Sequence, residues 1–336
     1  MKDWNSITVD RYWEQIKVSN DIAIGILDTR RDIDSEIVSK RSFDMTYFYI
    51  NRMVKMGLSK YVGSYTTVQE ILERAAKENK KVIAMYVAAP KTLTFYDKKV
   101  TAFMIQDAMT DKKYRGQGLL HKLSSICFAD LRDKKAVGYT FPNKLSENSF
   151  RRNNWSELSK VPLRILDNIE YRKHKLINLN KMENVVEEVC EEIWLNSGIN
   201  IGVERSNQYL NWRYNKPETN YEKYILSNKE GFLVLKFFED NNEKILHICD
   251  LVVSKDSQRL IDDILKFCLN KAYEENCAKI TAWFDEKHPY SQNLNNIGLK
   301  MISTHDRFIF IMNGLNSADL LSSSQWHISQ GDSDVY

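Results

Sequence analysis

The stretch that most constrains this chain is Asp107-Ala-Met-Thr-Asp-Lys-Lys-Tyr-Arg115-Gly116-Gln117-Gly118-Leu119-Leu120-His-Lys-Leu123. It reads as a strand that runs into a glycine loop and then a helix. Val100 to Thr110 are β-compatible, and apolar residues then recur at Leu119, Leu120, Leu123, Ile126 and Cys127, the spacing of one helix face. Arg-Gly-Gln-Gly therefore sits at a helix N-terminus. Gly116 and Gly118 lack a Cβ, so main-chain N–H groups can approach a ligand there. The helix dipole and the unpaired first-turn N–H groups favour an anion, of which a pyrophosphate is the natural example. A plain strand-to-helix turn would use the same two glycines, so the loop alone does not fix a ligand. Two familiar phosphate signatures are missing. The chain has no G-x-x-x-x-G-K-[ST], and G-x-G-x-x-G fails because Leu120 and His121 follow Gly118.

The wider order is an apolar strand, Tyr114-Arg115-Gly116-Gln117-Gly118-Leu119, an amphipathic helix, a second strand and then Phe141-Pro142-Asn143. This resembles the acetyl-CoA-binding core of the GNAT family of N-acyltransferases. The resemblance implies that Arg115, Gly116, Gln117, Gly118 and Leu119 contact the pyrophosphate of coenzyme A, and that Asn143 lies beside the pantetheine arm. Leu120 replaces the last Gly or Ala of the family loop. The segment Ser146-Glu-Asn-Ser-Phe150-Arg-Arg-Asn-Asn154-Trp155 resembles the family's "N…Y…GF" helix and turn, with Phe150 where many relatives have a tyrosine acid and Asn154 at the turn glycine.

The second half repeats the first. His247-Ile-Cys-Asp250-Leu-Val-Val matches Ile105-Gln-Asp107-Ala-Met-Thr, and 34 residues separate Asp107 from Phe141 and Asp250 from Phe284 alike. One helix lies between them in each half, and Leu260 to Tyr273 is the second. A long-period repeat of one α/β unit follows. In that second copy Gln258-Arg259-Leu260-Ile261 stands where the glycine loop was, so one cofactor per chain is expected.

The expected fold is α/β (α+β), with two tandem GNAT-like domains, each a mixed twisted sheet flanked by helices, the second degenerate. The boundaries are an extension at 1–20, an acyl-CoA-binding domain at 21–165, a linker at 166–178, the second domain at 179–314 and a tail at 315–336. Within residues 1–80 the pattern suggests a short helix at 10–16, a strand at 22–27, an aromatic-rich helix at 45–56 and a Thr67/Glu70 capping box. Strands are expected at 82–88, 92–95 and 100–110, with a hairpin turn at Tyr96 to Lys99. Leu315 to Ser324 reads as a polar linker that leaves the fold.

Composition narrows the function. A length of 336 residues with 43% hydrophobic and 28% charged residues suits about two globular domains. A net charge of +3, with no basic run interleaved with aromatics, gives no support for nucleic-acid binding. The densest basic stretch, Tyr171 to Lys175, reads as a solvated strand entrance. Five cysteines without C-x-x-C read as reduced core residues, and six scattered histidines give no metal-ligand spacing. No apolar leader opens the chain and no run of 18 apolar residues occurs, so membrane insertion is not expected and cytoplasm is the default.

The resemblance implies an acyl-CoA co-substrate, acetyl-CoA first, and no metal. It also implies direct attack of an acceptor amine on the thioester, with no acyl-enzyme, since Cys127 reads as a packed and inert thiol. Met109 or Thr110 would polarise the thioester carbonyl through a strand N–H. Asp107 is a candidate base, although Asp250 recurs in the copy without a loop and argues for a structural role of both. With Phe150 unable to give the thiolate its proton, Tyr139, Ser146, water or the ammonium of the intermediate would do so. Leu120 and Phe150 border the cofactor.

Tyr209-Leu-Asn-Trp212-Arg213-Tyr214-Asn-Lys-Pro217 resembles segments of tandem GNAT proteins of surface-polysaccharide biosynthesis. From this Trp212 and Arg213 are candidate contacts to a nucleotide-linked amino sugar. Core packing is the alternative for both. The ending Trp326…Gly331-Asp332-Ser-Asp334-Val-Tyr336 also resembles that group, so Asp332, Asp334 or the Tyr336 carboxylate could hold the amine or act as base. Other small amines, a peptide N-terminus and a non-catalytic CoA-binding scaffold are the alternative readings.

Overall fold

The structure is a computed structural model that describes residues 84–110, 115–144, 146–167, 169–170, 177–183, 188–215, 219–240, 243–302 and 307–333. The elements expected before residue 84, the basic cluster at 171–175, Asp334 and Tyr336 lie outside the described residues.

The chain enters through a hairpin of β1 (Ala84–Phe95) and β2 (Lys98–Thr110), joined by the two-residue turn Tyr96-Asp97. Tyr96 adopts φ 54°, the left-handed conformation such a turn requires. The two strands expected at 82–88 and 92–95 are one. Pro90 is tolerated inside it because the next strand out flanks only Leu93 to Phe95, leaving Pro90 where β1 has a single neighbour.

Helix α1 (Leu119–Asp133) then crosses to β3 (Val137–Thr140), which runs parallel to β2 through the pairs Ala102↔Val137 to Met104↔Tyr139. This is a βαβ crossover. Phe128 and Leu131 of α1 pack against Tyr86, Phe103 and Ile105 on one face of the sheet. Helix α2 (Glu147–Arg152), β4 (Ser156–Lys160) and β5 (Leu163–Asp167) follow.

Next come β6 (Leu179–Met182), α3 (Val189–Leu195), β7 (Ile201–Val203), α4 (Asn207–Tyr214), β8 (Tyr221–Leu226), β9 (Gly231–Asp240) and β10 (Glu243–Val253). A 3-10 turn at Lys255–Leu260 leads into α5 (Ile261–Glu274), and β11 (Lys279–Trp283) runs parallel to β10. After α6 (Ser291–Ile297), β12 (Lys300–Met301) and β13 (Phe308–Asn313), the chain closes through short 3-10 turns, β14 (Trp326–His327) and a last turn at Gln330–Asp332.

These strands form two mixed seven-stranded sheets flanked by helices, the expected α/β architecture. The first has the order β14-β7-β1-β2-β3-β13-β4 and the second β12-β5-β11-β10-β9-β8-β6. The sheets trade strands. β5 follows β4 in sequence yet pairs with β11, and β13 follows β12 yet lies between β3 and β4. Arg164 fixes β5 in place. Its buried guanidinium donates to the Phe284 carbonyl at 2.8 Å, Asn295 Oδ1 at 2.8 Å and Ser291 Oγ at 2.7 Å. Paired hydrogen bonds of this kind satisfy a cation that would otherwise be costly to bury.

β2 carries a bulge between Gln106 and Met109, and β10 carries one between Ile248 and Asp250. Each bulged strand leads to a helix and a parallel return strand.

The expected exit at Leu315 to Ser324 does not occur. Leu320 is buried in the core with Val161, Ile309 and Trp326, and the Trp326 Nε1 donates to its carbonyl at 3.1 Å. An apolar side chain every few residues anchors this otherwise polar segment.

Candidate active site

The glycine loop stands where the sequence puts it. Gly116 and Gly118 adopt φ of 81° and 71°, a left-handed backbone that L-residues disfavour. Among the described residues, a Cβ at either would meet nothing within 4 Å. Arg115 to Gly118 are exposed, Leu119 opens α1, and the Lys122 N–H donates to the Gly118 carbonyl at 3.0 Å. The earlier N–H groups of the helix face outward from that start, which makes an anion cradle.

Beside the loop the two parallel strands part. The last ladder pair is Met104↔Tyr139, after which the Thr140 hydroxyl reaches the Ile105 carbonyl at 3.0 Å. Beyond it β2 continues through its bulge to Thr110, paired only with β1, while β3 gives way to Phe141-Pro142-Asn143. Asp107 lies in the bulge by its backbone. The side chains of Asp107, Met109, Thr110 and Leu120 are outside the described set.

The residues after the gap are fixed locally. Asn143 Oδ1 accepts from the Ser146 N–H at 3.0 Å and from the Ser146 hydroxyl at 3.1 Å, which holds the turn that leads into α2. Phe150, on that helix, is buried against Trp155 and Phe310 at ring distances of 5.2 and 6.2 Å. Tyr139 is 2% exposed on the opposite face of the sheet, and its ring meets Phe141 edge-on at 6.0 Å. Burial pushes its phenol well above the ordinary value, so it stays protonated.

The corresponding parting in the second sheet is occupied by the chain itself. Past the last β10–β11 pair, Ile248↔Ala282, the Val253 N–H donates to the Tyr290 hydroxyl at 3.1 Å. The C-terminal turn lies against the same strand. A Cβ on Gly331 would stand 3.0 Å from the Cys249 carbonyl and 1.9 Å from the Tyr214 hydroxyl, so only glycine fits.

That turn is held by a buried ionic hub that sequence reasoning missed. Arg205, with 0% exposure, donates Nε to Asp250 Oδ2 at 2.7 Å and Nη1 to Asp332 Oδ1 at 2.7 Å. Nη1 also reaches the Val203 carbonyl at 2.7 Å, and Nη2 reaches Ser329 Oγ at 2.9 Å and Asp332 Oδ2 at 3.0 Å. Burial alone would raise the Asp250 carboxyl, but Arg205 and His327 beside it outweigh that and hold it well below the usual carboxylate range. The available signal was Asp250 itself, one carboxylate in an apolar strand, together with an arginine two residues after the short apolar strand Ile201–Val203.

The aromatic segment of α4 faces the hub. Ser206 caps the helix by accepting from the Tyr209 N–H at 3.2 Å, and Tyr209, Trp212 and Arg213 follow at helical spacing on neighbouring turns. Arg213 is buried, donating to the Gly331 carbonyl at 2.9 Å, the Ser333 carbonyl at 3.0 Å and the Tyr221 hydroxyl at 2.7 Å. Its guanidinium holds the tail. Trp212 is partly buried, with Lys91 Nζ 4.0 Å from its ring centroid. Asp332 is buried with both oxygens on Arg205, and Oδ2 also accepts from the Ser329 N–H at 2.9 Å.

Among the described residues no group of His, Cys, Asp and Glu could hold a metal, and no helix is long and apolar enough to cross a membrane. All five cysteines are reduced and buried.

Comparison with known proteins agrees with this geometry. The model of the acetyltransferase (GNAT) domain matches residues 68–157. Among solved structures, the GCN5-related N-acetyltransferase of Anabaena variabilis ATCC 29413 is similar with a TM-score of 0.56 at 13% identity, covering 82% of this chain and 71% of that one. A conserved protein of unknown function from Enterococcus faecalis V583, described as a probable N-acyltransferase, gives 0.52 at 14% identity over 70% of this chain. The match spans 60% of the Enterococcus protein's length. The N-myristoyltransferase of Saccharomyces cerevisiae with bound myristoyl-CoA gives 0.50 at 11% identity, covering 70% of this chain and 68% of that one. No curated protein matches the chain. Residues 68–157 thus match the model of the GNAT acetyltransferase domain, and the paired mixed sheets have a GNAT-like fold.

Proposed function

We propose that the chain is an acyl-CoA-dependent N-acyltransferase with a single co-substrate site, at the loop and strand gap of the first sheet. One observation supports this above the others: two left-handed glycines, at which a Cβ would meet no described residue within 4 Å, start a helix beside the point where two parallel strands part. In this reading the loop Arg115 to Leu119 binds the pyrophosphate, and the pantetheine arm enters between β2 and β3 past Asn143. Tyr290 and the C-terminal turn already occupy the second parting, which leaves one site per chain.

The reaction is a direct transfer. A neutral amine attacks the thioester carbonyl, the C–N bond forms, the C–S bond breaks, and the thiolate leaves with a proton. Backbone N–H groups at the β2 bulge, near Met109 and Thr110, would stabilise the oxyanion. Asp107 would receive the proton of the acceptor ammonium, through water. The thiolate would take its proton from the ammonium of the intermediate or from water, in place of the tyrosine that Phe150 replaces; Tyr139 is the weaker candidate, because burial holds its phenol protonated. Ser146 is the lesser donor, since its hydroxyl already donates to the Asn143 carbonyl and Oδ1.

For the acceptor we favour an amino sugar, nucleotide-linked, of a surface polysaccharide, as the tandem-family resemblance implies. Arg213 would not be the residue that reads its phosphate, because the tail takes its guanidinium. The test is release of free thiol from acetyl-CoA with a panel of primary amines. Amine-dependent release at least tenfold above hydrolysis is expected from one class of amine. Binding of acetyl-CoA with no acceleration by any amine would contradict the enzyme reading and favour a CoA-binding scaffold.

A further inference from the structure

Two buried histidines from distant segments meet beside the C-terminal turn, and neither takes part in the proposed chemistry. His288, in the loop between β11 and α6, is 7% exposed, and His327, in β14, is 1% exposed. His288 Nε2 and His327 Nδ1 stand 3.1 Å apart. The walls around them are aromatic. Phe284 and Tyr290 lie 4.9 and 4.6 Å from the His288 ring, and Trp194 lies 5.6 Å from the His327 ring.

The backbone fixes where the protons are. The Tyr290 N–H donates to His288 Nδ1 at 3.2 Å, so that nitrogen holds a lone pair and the proton of a neutral His288 sits on Nε2. His327 Nδ1 then accepts, which puts its own proton on Nε2, 3.6 Å from Asp250 Oδ1. A third proton has no place in this row. On His288 Nδ1 it would face the Tyr290 N–H, and on His327 Nδ1 it would face the His288 N–H. The surrounding charges add to the effect. Burial, His327 and Arg164 of β5 hold His288 well below the ordinary histidine range. Asp285 and Glu286 of the same loop set their charges against Arg164, and Asp250 of β10 is already engaged by Arg205 and by the Tyr214 hydroxyl at 3.0 Å.

We propose that the pair His288 and His327 is an acid-released latch for the C-terminal segment, seated while both rings are neutral and undone when the pair takes up a proton. The segment is suited to local release. β14 has two residues and pairs with one strand, β7, at the edge of the first sheet. The turn that fills the second parting follows His327 directly, so it leaves with the latch. A histidine that binds a proton only after release stabilises the seated state above about pH 6.5, and that stability is lost as the pH falls below this value. One such proton raises the released population about tenfold at about pH 5.5. Asp250 keeps its charge throughout this range, being held well below the usual carboxylate range.

Hydrogen exchange of the native chain at about pH 7.5 and about pH 5.5, corrected for the intrinsic pH dependence of exchange, tests the latch. The amides of Ser329, Asp332 and Ser333, each hydrogen-bonded within the turn, should lose about tenfold or more of their protection at the lower pH. Leu246 and Ile248, in the middle of β10, should keep theirs. His288→Gln cannot ionise, and its amide oxygen can accept from a protonated His327, so it should cut the tenfold ratio to about threefold or less. If that variant loosens the turn at both pH values, ring-nitrogen chemical shifts of the native chain decide, because the seated His288 must show a protonated Nε2 and a bare Nδ1. Equal protection at the two pH values, a tenfold ratio kept in His288→Gln, or an imidazolium signal from His288 in the seated state would overturn the proposal.

Discussion

Arg205→Met is expected to lower the stability of the chain by about 3–5 kcal/mol, the range for removing one partner of a buried ion pair. The reason is the company Arg205 keeps. It is the cation between Asp250 and Asp332, and its replacement leaves two carboxylates facing each other away from water. Methionine fills much of the volume, so the loss is electrostatic rather than a cavity. The tail should come loose at the same time, because Asp332 and Ser329 lose the donors that fix them. Denaturant unfolding gives the energy, and limited proteolysis between Leu315 and Gln325 reports the tail. Adding Asp332→Asn to Arg205→Met should recover part of the loss by removing one stranded charge. A change below about 1 kcal/mol, the size of an exposed pair, would show that the hub does not anchor the C-terminal segment.

Gly118→Trp is expected to weaken acetyl-CoA binding at least 100-fold, which corresponds to about 2.7 kcal/mol. Its Cβ would meet none of the described residues within 4 Å. The variant should therefore fold, with a penalty of about 1–2 kcal/mol for the left-handed backbone at that position. Gly116→Ala separates the two effects, since it carries the backbone penalty with almost no bulk. It should bind acetyl-CoA within about tenfold of the native chain. Calorimetric titration of both variants checks this, and native-like binding by Gly118→Trp would remove the loop from the site.

Local rules made much of the first sheet legible. Gly116 and Gly118 announce a left-handed turn, Tyr96-Asp97 announces a hairpin, and the apolar spacing from Leu119 onward announces α1. The strand exchange had no such signal. Leu163 to Asp167 pairs with β11, which lies more than a hundred residues away and is chosen by contacts such as Arg164 with Phe284 and Asn295. The same holds for β13, whose place between β3 and β4 depends on both neighbours being formed.

The site divides in the same way. The proposed cofactor side is contiguous in sequence, a strand, a loop and a helix, so its geometry could be read from residue types. The buried hub is assembled from distant segments, and no spacing in the sequence brings Arg205, Asp250 and Asp332 together. Arg213 stood out in sequence because it neighbours Trp212, yet its hydrogen bonds belong to the tail. Arg205, which sits in no motif, carries the larger structural role.

If acyl-CoA binds at the loop and the strand gap of the first sheet, amide hydrogen exchange of the native chain should slow on adding acetyl-CoA at Gly116 to Leu119 and at Ala108 to Thr110. The corresponding stretch of the second sheet, Asp250 to Ile261, should be unchanged. Protection confined to Asp250 to Ile261, or none at any position under saturating acetyl-CoA, would contradict binding at that site.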